Sequence, residues 1–188
     1  MYQKYIDYLK ETLDDYRFNH SLNVADMCKK LASRNNYDEE KAYLCGLLHD
    51  VCKNDSNEKM LQIFHKFDII LDDVQKNVCL LWHSIAGSAF IQDKFSIKDK
   101  EIIDAIRYHT TGRENMTKLD KILFLADFIS ADRDFEGVDR LREVAENNDL
   151  DTAIFECLKF SIDELITNQK PIHIDTINAY NYMCLERM

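Results

Sequence analysis

The sequence predicts an all-α protein, and three observations carry that prediction. Apolar residues recur at helical spacing along almost the whole chain. The period stays helical throughout, with no stretch that reads as a strand. Four Gly and one Pro in 188 residues leave little turn or linker chemistry, which favours helices with short connections. A chain of this length can bury about 70% of its unfolded surface. No Ser/Gly/Pro-rich stretch marks a boundary, so one domain over residues 1–188 is expected.

Residues 2–13 read as a first amphipathic helix with Tyr5, Ile6, Leu9 and Leu13 on one face. A second runs from about Tyr16 to Asn35 and buries Phe18, Leu22, Ala25, Cys28, Leu31 and Ala32. His20 lies at the edge of that stripe, on a line with Val24 and Met27, either as a satisfied core residue or as a ligand. Asp38 is placed as an N-cap, with Lys41 standing where an acid would complete a capping box. The helix it opens carries Ala42, Cys45, Leu48, His49 and Cys52. His49-Asp50 therefore ends an apolar run, where a carboxylate is costly unless it is paired or metal-bound. Lys53 follows three residues later, as a cation for the helix terminus or as a substrate contact.

Ser56 opens a short helix with Met60, Leu61 and Phe64 inside and an incidental His65. From Asp72 to about Lys94 runs a longer apolar segment with Leu80, Trp82, His83 and Phe90. Gly87, one turn after His83, would let another backbone approach closely. Ser96 or Lys98 starts the next helix, which ends at Tyr108-His109-Thr110-Thr111-Gly112, where a histidine can be a plain C-terminal cation. The run Ile122 to Ile129 holds a single acid, Asp127, which needs either an arginine or a metal as partner. Helices over 138–146, 152–168 and 175–186 complete the chain, with His173 read as a loop residue after Pro171. The C-terminal helices, about 149–187, are assigned to scaffold or to a subunit contact such as a homodimer would need.

Lys plus Arg is 24 and Asp plus Glu is 34, and the net charge of -10 argues against nucleic acid as a partner. A small phosphate compound remains compatible, given local positive charge from metal or from a few Arg and Lys. The six cysteines show no C-x-x-C spacing and are read as reduced, cytosolic thiols, four of them in apolar helical patterns. No apolar run approaches the ~18 residues of a membrane span, so a soluble cytoplasmic protein is expected.

In chain order the metal-ligand candidates are His20, His49, Asp50, His83, His109 and Asp127. Imidazole and carboxylate without thiolate suit iron, manganese, zinc or nickel. Six ligands exceed the need of one open catalytic ion. Two ions need a bridge, which a carboxylate supplies with one oxygen to each, and Asp50 is the natural candidate.

The pattern resembles the HD-domain superfamily of metal-dependent phosphohydrolases, a helical-bundle family. It is most similar to the bacterial YqeK family of symmetrical bis(5'-nucleosyl)-tetraphosphatases. The resemblance rests on Arg17-Phe18-Asn19-His20-Ser21, Leu47-Leu48-His49-Asp50-Val51-Cys52-Lys53, His83 with Gly87, and Tyr108-His109-Thr110-Thr111-Gly112-Arg113. It continues through Leu125-Ala126-Asp127-Phe128-Ile129 and Arg133 with Gly137-Val138, and the metal-site core spans about 16–142. The loop 130–137 departs from the family in lacking prolines, and Glu114 stands where proline is common.

The resemblance implies hydrolysis of a dinucleoside polyphosphate, diadenosine tetraphosphate, to two ADP by a metal-bridging hydroxide. It implies two divalent or mixed-valence ions, iron first. His20, His49, Asp50 and Asp127 would hold one, and Asp50, His83 and His109 the other. Asp50 and Lys53 would be catalytic, and Arg17, Lys53, Thr110, Thr111, Arg113 and Arg133 would contact the substrate. The same ligands would serve an HD nucleotidase acting on mononucleotides or cyclic dinucleotides. A non-catalytic nucleotide sensor would be expected to lack a ligand, and none is missing.

Overall fold

The computed structural model describes residues 2–188 as eleven α-helices and one short 3-10 turn, with no strand among them. They are α1 Gln3–Thr12, α2 Asp15–Arg34, α3 Glu39–Leu48, α4 Asn57–Lys66, α5 Asp73–Asn77, α6 Trp82–Phe95, α7 Lys100–Tyr108, α8 Lys118–Ile129, α9 Val138–Asn147, α10 Leu150–Thr167 and α11 Ile174–Leu185. The bundle is built around α2, which packs on α3 and α8, while α6 and α7 form a second pair that joins α8. On the other side α10 packs on α8, α9 and α11. Leu47, Leu48, Ile106, Leu119, Ile122 and Leu123 are wholly buried between these layers. No described helix is long and apolar enough to cross a membrane.

Short polar side chains start these helices. The side chains of Asp14, Asp38, Ser56, Asp72, Asp99, Thr117 and Asp149 each accept a hydrogen bond from a first-turn backbone N–H, which would otherwise lack an intrahelical partner. Besides Gly112 and Gly137, left-handed backbone falls to Asn36, Asp68, Ser96, Asn115 and Gln169, several of them types that tolerate this region by local hydrogen bonding.

Several expectations need correction. The apolar segment from Asp72 to Lys94 is broken into α5, a 3-10 turn over Cys79–Leu81, and α6. The break is held by Trp82, whose Nε1–H donates to the Gln75 carbonyl at 2.6 Å, and it leaves Leu80 80% exposed. Helix α7 begins after Asp99, because Ser96 is left-handed and cannot continue a helix. The buried face of α2 is turned toward His20, Ser21 and Val24, leaving Phe18 and Leu22 only half-buried, since α3 and α8 both claim that side. Leu61 is exposed. His173 is no loop residue: it is buried as the N-cap of α11. Its Nε2 lies 2.7 Å from Asp72 Oδ2 and 3.1 Å from Gln75 Nε2, tying α11 to the start of α5.

The glycine that permits a close approach is Gly46 in α3. A Cβ there would lie 2.8 Å from Ala25 Cα and 2.8 Å from Cys28 Sγ of α2. At Gly87 a Cβ would make only ordinary contacts, the nearest 3.4 Å from Val51 Cγ1.

Candidate metal centre

Four helix ends and one helix interior deliver the chemistry-bearing side chains to one buried point. His49 and His109 are the C-caps of α3 and α7, His83 stands in the first turn of α6, and Asp127 in the last turn of α8. His20 comes from within α2. The Nδ1 atoms of His49 and His109 lie 2.7 Å and 2.8 Å from the carbonyls of Gly46 and Ile106, three residues earlier. Each Nδ1–H thus satisfies a carbonyl left free where the helix stops, and each Nε2 is left to face the centre.

Asp50, 2% exposed, sits between these rings. Its Oδ1 is 3.2 Å from His83 Nε2 and 3.6 Å from His109 Nε2. Its Oδ2 is 3.6 Å from His49 Nε2. Asp127 Oδ1 lies 3.0 Å from His20 Nε2 and 3.9 Å from His49 Nε2. The donor atoms form three overlapping sets, each within 4.8 Å: His20, His49 and Asp50; Asp50, His83 and His109; and His49, His109 and Asp127.

This donor set fits a metal. His49 Nε2 and Asp50 Oδ1 are wholly buried without a hydrogen-bond partner, which is costly unless a cation completes them. Protonation agrees at His49, His83 and Asp50, whereas at His20 burial is outweighed by the bond to Asp127, which raises it. Burial pushes His49 down to about 4, and burial likewise lowers His83. Burial works against charge on Asp50, yet His49, His109 and His83 hold it well below the usual carboxylate range. Neutral imidazoles beside ionised carboxylates are the forms that ligate metal.

All six residues singled out as ligands converge here. The cationic and hydroxyl candidates divide. Arg17 Nη1 is 3.7 Å from Asp50 Oδ2, and Lys53 Nζ is 3.5 Å from Asp50 Oδ1 and 3.0 Å from His83 Nε2. Arg133 pairs with Asp127 and donates from Nε to its carbonyl at 2.8 Å, so Asp127 has an arginine partner as well as the histidines. Arg113 is committed to Asp120, at 2.9 Å and 2.7 Å. Thr111 donates to the Gly112 carbonyl, and Thr110 lies 3.2 Å from Ser84 Oγ.

Sequence reasoning missed Asp132. Its Oδ2 is 2.7 Å from His20 Nδ1, and its Oδ1 accepts from Asn23 at 3.1 Å. A ligand histidine within a helix has no free carbonyl to fix its other nitrogen, and that need was the available signal. Asp132→Ala is expected to weaken metal binding by about 10- to 100-fold, the usual effect of removing such an orienting partner. A chelator competition titration reads this, and unchanged affinity would show that Asp132 does not hold the ring.

The fold and this cluster define a metal-binding helical domain of the HD type. The HD-domain family model matches residues 17–132. The chain is 40% identical to the symmetrical bis(5'-nucleosyl)-tetraphosphatase of Staphylococcus aureus, over 92% of this chain and 91% of that protein. It is 34% identical to the protein of the same name from Bacillus subtilis, over 93% of each. A crystal structure from Clostridium acetobutylicum, described as an HD-superfamily hydrolase involved in NAD metabolism, matches with a TM-score of 0.94 at 37% identity. That match covers all of this chain and 98% of the other. The chain belongs to the HD-domain family, in the branch of the symmetrical bis(5'-nucleosyl)-tetraphosphatases.

Proposed function

We propose that this protein hydrolyses diadenosine tetraphosphate at its central phosphoanhydride, giving two ADP, with two metal ions bound. The observation that carries the reading is Asp50, whose two oxygens face different imidazoles, Oδ2 toward His49 and Oδ1 toward His83 and His109. His20, His49 and Asp127 with one Asp50 oxygen would hold one ion, and His83 and His109 with the other oxygen the second. The names of the relatives over nearly the whole chain support the substrate.

Metal held there would supply Lewis acidity toward phosphate oxygens and activate water near neutral pH. Iron, alone or mixed-valence, is the first choice, with manganese, zinc and nickel as alternatives for an imidazole-carboxylate set. The protein's own groups do the rest. Arg17 and Lys53, beside Asp50, neutralise the polyphosphate, with Lys53 as the candidate to stabilise the departing phosphate by a hydrogen bond. Asp132 and the Gly46 and Ile106 carbonyls keep three ligand rings oriented. Arg133 stands on the Asp127 side as a further cation, whereas the bonds of Arg113 to Asp120 and of Thr111 to Gly112 suit them better to bracing the site.

Protein purified without chelator is expected to carry two metal ions per chain and to yield ADP as the only product. His83→Ala is expected to lose one ion and nearly all turnover. One ion in the wild type at saturation would sink the second site, and ATP plus AMP as products would sink symmetrical cleavage. A substrate panel with mononucleotides and cyclic dinucleotides separates this activity from those of other HD nucleotidases.

A further inference from the structure

Two cavities border the ligand cluster, one at Asp127 and one at His83, and Leu165 of α10 lines both. The larger, about 860 Å³, contains His83, Arg17, Lys53 and Lys170. The smaller, about 300 Å³, contains Asp127 and Arg133 and is otherwise walled by Phe128, Phe135 and Phe160, with Ser161 and Glu164 at its edge.

The two differ in what they can hold. The larger is lined by three cations, Arg17, Lys53 and Lys170, against two carboxylates, Asp14 and Asp55, and so suits phosphate better. The smaller has one cation, Arg133, already paired with Asp127, and Glu164 adds a second carboxylate. With two carboxylates to one cation, it suits a neutral flat ring better than a phosphate. Phe135 and Phe160 lie 5.3 Å apart at 37°, and Phe128 stands edge-on to both at 6.2 Å and 6.4 Å. All three are only half-buried, so ring surface remains for a further aromatic group to stack on. Ser161 and Glu164, also lining the cavity, supply hydrogen-bonding groups for the N–H groups of a base.

We propose that the Phe128, Phe135 and Phe160 cavity beside Asp127 takes one purine base of the substrate, while the cavity on the His83 side takes the remainder of the molecule. The proposal rests on the dinucleoside polyphosphate reading. It makes the cleft asymmetric around a substrate whose halves are identical.

Calorimetric binding of ADP and of inorganic diphosphate to the metal-loaded protein tests it. Phe135→Ala is expected to weaken ADP about tenfold or more, the scale of losing a base-stacking partner, and to leave diphosphate unchanged. Phe135→Trp is expected to restore ADP binding, with metal content and melting temperature equal in all three proteins. Undiminished ADP binding by Phe135→Ala, an equal loss for diphosphate, or no ADP binding by the wild type would overturn the proposal. If the wild type fails to cleave diadenosine tetraphosphate yet shows the contrast between ADP and diphosphate, the proposed activity falls and the base pocket stands. If it cleaves that substrate with the same KM in Phe135→Ala, the pocket falls and the activity stands.

Discussion

Asp50→Asn is expected to reduce hydrolysis of diadenosine tetraphosphate by roughly a thousandfold or more, the scale of losing a central electrostatic element of a water-excluded site. The substitution keeps the shape and removes the charge. At this position the charge is what three imidazoles face, and the side chain is 2% exposed, so solvent cannot replace it. Metal content is expected to fall together with turnover. Asp50→Ala, which also removes both oxygens, is expected to do the same. His65→Ala supplies the control: His65 is exposed on α4, away from every donor set, and its loss is expected to leave the rate within about twofold of wild type. If Asp50→Asn retains both its metal and the rate of His65→Ala, the carboxylate is structural and the mechanism is wrong.

The second large effect is on stability. Gly46→Val is expected to cost about 3 kcal/mol or more, the upper end for overpacking, because its Cβ would meet the backbone of α2 at Ala25. A rotamer change relieves a clash with a side chain but not with a Cα atom. For a chain of this size that corresponds to a melting temperature lower by roughly 6–12 °C. Activity should fall further than stability alone explains, since the Gly46 carbonyl lies 2.7 Å from His49 Nδ1 and would move with α3. Gly87→Ala is the contrast, with its nearest contact at 3.4 Å, and is expected to melt within about 2–4 °C of wild type. Equal melting temperatures for Gly46→Val and Gly87→Ala would show that α2 and α3 can separate freely.

Part of the donor cluster was legible because its residues are anomalies in their local pattern. Asp127 interrupts an apolar run, and His49-Asp50 ends one, so the cost of burying polar groups flags them without any fold. The all-helical class followed from the period and from the scarcity of glycine. Less legible was whatever depends on one helix meeting another. Gly87 is the glycine that the sequence marks for a close approach, and the packing of α2 on α3 places that approach at Gly46 instead. His173 looked like a loop residue because its partners, Asp72 and Gln75, lie about a hundred residues away. Asp132 was one acid in a charged loop until His20 was placed beside it. Arg113 and Arg133 were equally plausible phosphate contacts in sequence, and their packed partners, Asp120 and Asp127, distinguish them.

The bond between His173 and Asp72 bears on the order in which the protein is finished during synthesis. The six donor residues and Asp132 have all been made once residue 132 has left the ribosome. The larger cavity, however, is walled on one side by Asn77, Val78 and Leu80 and on the other by Lys170 and Pro171. Those walls are joined next door by the histidine's bonds to Asp72 and Gln75. At about 5–20 residues per second, His173 follows residue 132 by roughly 2–8 s. Contacts this distant in sequence are also slow to form, because a long loop must close first. The donor residues are therefore all present in a nascent chain seconds before the two walls of the larger cavity can be joined.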